Sequence, residues 1–235
     1  MAMPRIAIVA AMEREVAPLI RSWQSRWIER DGRRYKLFEN GDASLICGGI
    51  GAEAARRATE VIIRESQPDR VLSVGFAGAL DPALTVGQIV EPRIVIDASD
   101  GARIDTGHGD GTLISFANVA GPEQKRKLRE AYGAAVVDME SVAVSRGAEI
   151  RGLSFGALKV VSDDARTTLP PVEGFVAADG SFRARAFAFH AALRPWLWRA
   201  TVVLARNSAK ASHALCQALE EYVKSSAAAT LAARR

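Results

Sequence analysis

The chain has 235 residues, with 31 Lys and Arg, 27 Asp and Glu, and 49% apolar residues. This length and apolar content suit one α/β domain with a sizeable core, and we expect a single domain over residues 1–235. The net charge of +4 is small and spread along the chain, which argues against a nucleic-acid partner. No apolar run approaches the roughly 20 residues that a membrane span needs. Cys47 and Cys216 are far apart in the sequence, which is typical of a reducing compartment, so we expect a cytoplasmic protein. We expect no metal or organic cofactor.

Short apolar runs alternate with helical patterns over the first two thirds of the chain. Strands are predicted at 6–10, 35–39, 43–47, 70–74, 89–96, 112–115, 135–137 and 155–161. Helices are predicted at 13–23, between Gly51 and Pro68, at 122–132 and at 141–150. Residues 97–111 and 167–180 are predicted as loops. This alternation indicates an α/β fold with a mostly parallel or mixed sheet and helices on both faces.

The last part of the chain has a different composition. Residues 183–206 are rich in Arg, aromatic residues and Ala, and Pro195 interrupts them. A final helix carries Ala211, Leu215, Leu219 and Tyr222 on one face, and we expect this face to pack on the sheet.

Acidic residues stand at the ends of several predicted strands. Glu15 lies in the first turn after the first strand, where a carboxylate is also favoured by the helix dipole. Glu140 and Asp163 each follow a later buried strand. Ligands of α/β proteins bind at the carboxyl ends of strands, so these three acids are candidates for an acid, a base and a hydroxyl clamp. Such a set suits the cleavage of a glycosidic bond.

Two further features allow two interpretations each. Gly48-Gly49-Ile50-Gly51 precedes a helix and could hold an anion, but it lacks a full nucleotide-phosphate motif and more simply permits close packing of the helix on the strand. Lys159 lies within a buried strand pattern, where it either pairs with an acid or lines the site.

Five segments in a fixed order carry a family resemblance: residues 6–16, 49–51, 75–90, 137–140 and 160–163. Together they resemble the 5′-methylthioadenosine/S-adenosylhomocysteine nucleosidases of the nucleoside phosphorylase superfamily. The resemblance implies a three-layer α/β/α sandwich with a central mixed sheet. It also implies hydrolysis of the N-ribosidic bond of a purine nucleoside, a small-molecule substrate, and a homodimer.

The resemblance assigns roles to individual residues. Glu15 matches the acid that activates the attacking water, and Asp163 matches the acid that protonates the purine at N7. Protonation requires a neutral Asp163, which we expect burial to favour. The remaining matches contact substrate: Glu140 binds the ribose hydroxyls, Met139 packs on the sugar, and Ala77, Gly78, Asn118, Val119 and Ser162 surround the base and sugar.

Some positions depart from the family pattern and keep other functions open. Phe76 stands where the family usually has Ser, and Asn118 replaces an aromatic residue that stacks on adenine. Residues 167–206 instead resemble hopanoid-associated phosphorylase-like proteins. The alternatives are a phosphorylase that uses phosphate near Arg14, an enzyme for a bulky apolar adenosyl substrate, and a nucleoside-binding protein without turnover.

Overall fold

The computed structural model of the protein describes residues 5–232, with side chains for residues 5–225. Residues 1–4 and 233–235 of the predicted domain lie outside the described residues. The strands are Ile6–Ala10 (β1), Gln24–Arg30 (β2), Arg33–Asn40 (β3), Ala43–Cys47 (β4), Arg70–Ala79 (β5), Ile89–Val90 (β6), Ile94–Asp97 (β7), Arg103–Asp105 (β8), Thr112–Ser115 (β9), Val136–Asp138 (β10) and Ser154–Asp163 (β11). The helices are Glu13–Ile20 (α1), Ala52–Ser66 (α2), Pro122–Tyr132 (α3), Ser141–Glu149 (α4), Ala184–Ala192 (α5) and Pro195–Ala232 (α6), with a 3₁₀ turn at Glu173–Phe175.

Strand β5 is the centre of one mixed sheet. It pairs in parallel with β1 over residues 70–73 and with β11 over residues 70–78. Strand β10 pairs antiparallel with residues 78 and 79 of β5. Because β11 occupies one edge of β5, β1 and β10 share the other edge and leave a gap between their ends. The unpaired backbone of β5 in this gap faces the carboxyl ends of both strands.

Helices cover both faces of the sheet, so the predicted three-layer α/β/α architecture is confirmed. Helices α2 and α4 bury Ile62 and Val144 in a core with β1, β4 and β5. On the other face, α1 and α6 pack together over β11 and bury Val16 and Leu215. Ala211, Leu215 and Leu219 are fully buried, which confirms the predicted packing face of the last helix.

Several element boundaries differ from the sequence prediction. The predicted helix at 13–23 ends at Ile20 and is followed by β2, whose side chains are almost all exposed and show no apolar alternation. The predicted loop at 97–111 contains β8, a three-residue strand that pairs with β7 through its backbone. Pro92 separates β6 from β7, and β5 continues to Ala79 through glycines that were predicted to end it. Exposed or glycine-rich strands are set by backbone pairing, which leaves little apolar signal in the sequence.

Gly48 allows α2 to pack closely against the end of β4. A Cβ atom at this position would lie 2.5 Å from Cβ of Ala58 and 2.9 Å from the carbonyl oxygen of Ala54. The structure therefore supports the packing interpretation of the glycine segment.

We predict that Gly48→Ala lowers the free energy of unfolding by about 1–3 kcal/mol, because the added methyl group overpacks this contact. Urea unfolding monitored by circular dichroism measures the change. Gly174→Ala is the matched control, since its Cβ would meet no atom within 4 Å. Equal unfolding midpoints for Gly48→Ala and the wild type would contradict the prediction.

Candidate active site

A cavity of about 490 Å³ opens at the gap between the ends of β1 and β10. All nine predicted site residues line it: Glu15, Ala77, Gly78, Asn118, Val119, Met139, Glu140, Ser162 and Asp163. We expected acids that follow strands to lie together at the carboxyl ends of those strands. This is correct for Glu15 and Asp163, because β1, β5 and β11 are parallel. Strand β10 runs antiparallel to β5, but Glu140 also follows the carboxyl end of its strand and lines the cavity. The reason is that β10 starts at the far end of β5 and runs back toward its middle.

Glu15 lies at the floor of the cavity in the first turn of α1 and is only 2% exposed. Its Oε2 atom accepts the backbone N–H of Met12 at 3.3 Å. Gly75 adopts φ +145°, and a Cβ atom there would lie 3.0 Å from Oε2, so the glycine leaves room for the carboxylate. Burial raises the pKa of Glu15, and the Met12 N–H and the positive charge of Lys159 oppose this rise. A buried carboxylate with a raised pKa is suited to accept a proton from water.

Glu140 lies between β10 and the glycine segment and forms hydrogen bonds to the backbone on both sides. Its Oε1 atom accepts the backbone N–H of Gly51 at 2.7 Å, and its Oε2 atom accepts the N–H of Met139 at 3.2 Å. Burial, reinforced by the negative charge of Asp138, raises the pKa of Glu140 to about 7. The Gly51 contact shows that the glycine segment also shapes the site.

Asp163 stands opposite Gly78 after a β-bulge that shifts the register between Val161 and Asp163. Its Oδ1 atom accepts the hydroxyl of Ser162 at 2.7 Å, and its Oδ2 atom accepts a hydrogen bond from Nζ of Lys125. The Lys125 ammonium group, 2% exposed, also donates to the carbonyl oxygen of Asp164 at 2.7 Å. The burial predicted for Asp163 is confirmed, and a buried cation accompanies it.

Sequence reasoning missed Lys125, because it lies in the charged helix α3, whose other lysine and arginines resemble a solvated face. The available signal was its position one turn before Leu128, the other buried residue of that helix. Gly78 accommodates the lysine, since a Cβ atom there would lie 3.1 Å from Cε of Lys125 and 3.2 Å from Oδ2 of Asp163.

A second buried ion pair lies beneath the two glutamates. Nζ of Lys159 lies 2.9 Å from Oδ2 of Asp138 and donates to the Ser73 hydroxyl at 3.0 Å. The hydroxyl groups of Ser115 and Ser141 donate to the two oxygens of Asp138, so this carboxylate is fully paired. Lys159 therefore pairs with an acid, as one of its two interpretations predicted.

The long segment after β11 forms one wall of the cavity. Leu169, Val172, Val176 and Phe182 line this wall. The wall is fixed to the glycine segment by a hydrogen bond from Ile50 N–H to the carbonyl oxygen of Gly180, at 2.8 Å. The guanidinium group of Arg14 lies 5.1 Å from the ring centre of Phe182. The same segment places Oε1 of Glu173 2.7 Å from the backbone nitrogen of Val119, so a ligand that bonds to this N–H must displace Glu173.

Between residues 5 and 232, no group of three His, Cys, Asp or Glu side chains is placed to hold a metal ion. No helix in the same range is long and apolar enough to cross a bilayer.

We predict that Lys159→Met lowers the free energy of unfolding by about 3–5 kcal/mol, because it leaves the Asp138 carboxylate buried without its cation. The control is Lys127→Met, which removes an exposed pair with Glu123 and changes stability by about 0.5 kcal/mol or less. Chemical denaturation at neutral pH measures both. Similar losses for the two variants would refute the buried-pair interpretation.

Glu140 gives the stability of the protein a defined pH dependence. Its pKa is raised in the folded state, so between about pH 4.5 and pH 7 the folded state holds a proton that the unfolded state has released. Stability attributable to Glu140 therefore falls as the pH rises through this window, and Glu15 acts in the same direction. We predict that Glu140→Gln gains stability relative to the wild type from pH 4.5 to pH 7. Denaturation at a series of pH values measures the free energy of unfolding of both proteins, and the exposed Glu149→Gln is the control. A difference in this free energy between Glu140→Gln and the wild type that stays constant across the window would contradict the prediction.

Comparison with known proteins places the chain in a family. The family model described as the phosphorylase superfamily matches residues 5–122 and 111–194. The 5′-methylthioadenosine/S-adenosylhomocysteine nucleosidase of Marinomonas sp. (strain MWYL1) is 33% identical over 93 residues, which are 36% of this chain and 38% of that protein. The nucleosidase of the same name from Lysinibacillus sphaericus (strain C3-41) is 34% identical over 89 residues, 37% of this chain and 39% of that protein. The match thus spans about two fifths of the length of these curated relatives.

A similarity in fold extends over nearly the whole chain. The crystal structure of 5′-methylthioadenosine/S-adenosylhomocysteine nucleosidase from Helicobacter pylori with butyl-thio-DADMe-Immucillin-A superposes with a TM-score of 0.70. The superposition covers 96% of this chain and 100% of that chain, at 17% identity. Together with the family match over 5–194, this architecture shows that the chain belongs to the phosphorylase superfamily.

Proposed function

We propose that the protein is a purine nucleosidase that hydrolyses the N-ribosidic bond of nucleosides of the 5′-methylthioadenosine and S-adenosylhomocysteine type. The products are adenine and a ribose derivative. The observation that carries the proposal is the convergence of three carboxylates on one cavity from three separate elements: the buried Glu15 and Asp163 and the partly buried Glu140. Similarity to nucleosidases in sequence supports it.

In the proposed reaction the bond between C1′ and N9 of the purine breaks, and its electron pair leaves with the base. Asp163 delivers a proton to N7, so that the base departs as a neutral molecule. Ser162 holds the carboxyl group of Asp163 in place through Oδ1. Ala77 and Gly78 supply backbone beside the base, and Asn118 and Val119 form its far side.

Glu15 and Glu140 act on the ribose half of the substrate. Cleavage leaves positive charge on C1′, and a water molecule attacks this carbon while giving its proton to Glu15. Glu140 accepts hydrogen bonds from the ribose hydroxyls, and Met139 packs against the sugar. Glu15 is buried and Glu140 is partly buried, so water screens these interactions only weakly.

Arg14 supports a second candidate, phosphorolysis, because it lines the cavity next to Glu15. Phosphate would attack C1′ in place of water and yield a ribose 1-phosphate. The negative charge of Glu15 opposes a phosphate ion at this position, which favours water. Adenine release measured with and without phosphate separates the two reactions.

A second cavity supports a third candidate, an enzyme for a bulky apolar nucleoside. This cavity, of about 320 Å³, contains Trp196 and shares Ser162, Asp163, Leu169 and Leu204 with the main one. The resemblance of residues 167–206 to hopanoid-associated proteins points to the same type of substrate. A nucleoside with a long 5′-alkylthio chain tests this candidate, and turnover faster than that of methylthioadenosine would favour it.

We also propose a cytoplasmic homodimer, as the family resemblance implies. Sedimentation equilibrium of the purified chain tests the dimer, and a monomer at micromolar concentration would exclude it.

We predict that Glu15→Gln and Asp163→Asn each lower kcat for methylthioadenosine by about 10²–10⁴-fold, the usual contribution of a general base or acid. Both variants keep much of their affinity for adenine, because the amides preserve side-chain size. Adenine release and isothermal titration measure the two quantities, with the exposed Glu149→Gln as control. No turnover by the wild type, together with tight adenine binding, would replace this proposal with a nucleoside-binding function.

A further inference from the structure

The buried contact between Lys125 and Asp163 has no role in the reaction described above. Lys125 reaches the cavity from α3 and lines it beside Asp163 and Gly78. Two of its three N–H bonds are directed to Oδ2 of Asp163 and to the carbonyl oxygen of Asp164. The lysine therefore touches the group that is proposed to protonate the base.

The hydrogen bonds around Asp163 identify where its proton would come from. Oδ1 already accepts the Ser162 hydroxyl, and Oδ2 accepts the Lys125 ammonium group. A carboxylate that accepts two donors has no proton of its own to give. Of its two donors, the ammonium group is the stronger acid, because a serine hydroxyl does not ionise in the range of protein side chains.

We propose that Lys125 is a positioning residue that supplies the leaving-group proton through Asp163. This inference rests on the proposed function. As the bond between C1′ and N9 breaks, Nζ of Lys125 gives a proton to the Asp163 carboxylate, and this carboxyl group gives a proton to N7 of the base. Lys125 is left as a neutral amine, Asp163 remains a carboxylate, and solvent returns a proton to the amine after product release.

The burial of Lys125 and Asp163 favours this transfer. Lys125 and Asp163 are both almost fully buried, and a substrate in the cavity would exclude the remaining water. In such surroundings a charged pair loses solvation, which favours moving the proton from the cation to the anion. The hydrogen bond to the Asp164 carbonyl keeps Nζ aimed at Asp163 through the transfer.

The test compares two substrates that differ in their need for a proton. Methylthioadenosine releases adenine, which must be protonated, whereas 4-nitrophenyl 5-methylthio-riboside releases a stable phenolate anion. Lys125→Met removes the proton source, and Lys125→Arg keeps the positive charge but does not release its proton. We expect both variants to lose at least about 100-fold in kcat/KM on methylthioadenosine and less than about fivefold on the nitrophenyl riboside. Lys127→Met, on the exposed face of the same helix, is the control and should match the wild type on both substrates.

The pH dependence of kcat/KM for methylthioadenosine is an independent test of the role of Lys125. Without Lys125, Asp163 must take its proton from solvent, so the deficit of Lys125→Met should deepen as the pH rises. A deficit that is constant across pH, equal losses on both substrates, or full activity in Lys125→Arg would each overturn the inference. These outcomes leave wild-type turnover intact, whereas a wild type inactive on both substrates would overturn the proposed function and the inference together.

Discussion

The site depends on the geometry of β5. This strand is longer than β1, its neighbour on one edge, and the space beyond the end of β1 is filled from the opposite direction by β10. Two glycines in β5 lie next to the buried charges. Gly75 leaves room for the Glu15 carboxylate, and Gly78 leaves room for Lys125 and Asp163. A side chain at either position would occupy the volume in which the charged groups meet.

Six charged groups lie around this strand, five of them buried, and their contacts divide them by role. Asp138 and Lys159 satisfy each other and three serine hydroxyls, so they form a closed network that supports the floor. Among the side chains of residues 5–225, no cation directly contacts Glu15 or Glu140, and burial raises the pKa of both glutamates. Groups held in this way are poised to exchange protons or accept ligand hydrogen bonds, which is typical of functional sites.

Asp163 differs from both glutamates because it contacts a cation, Lys125. The same cavity thus contains carboxylates in two environments, one isolated and one paired with an ammonium group. Different environments allow chemically similar side chains to serve as base and acid in one reaction. The wall formed by Val176 and Phe182 closes over these groups, and its attachment at Ile50 and Gly180 fixes it to the glycine segment.

The sequence by itself determined the fold class, most of the strands, and the packing face of the last helix, because these follow from apolar periodicity. It also predicted nine of the residues that line the cavity, since five ordered segments are similar to one family. Edge strands such as β2 and β8 were decided by backbone pairing, which leaves no apolar pattern. Only the tertiary structure decided the antiparallel course of β10, the contact between Glu173 and Val119, and the burial of Lys125 against Asp163. The physical reason is that the sequence of a charged helix predicts exposed lysines. Only the packing of the helix determines which of its faces, and therefore which lysine, is buried.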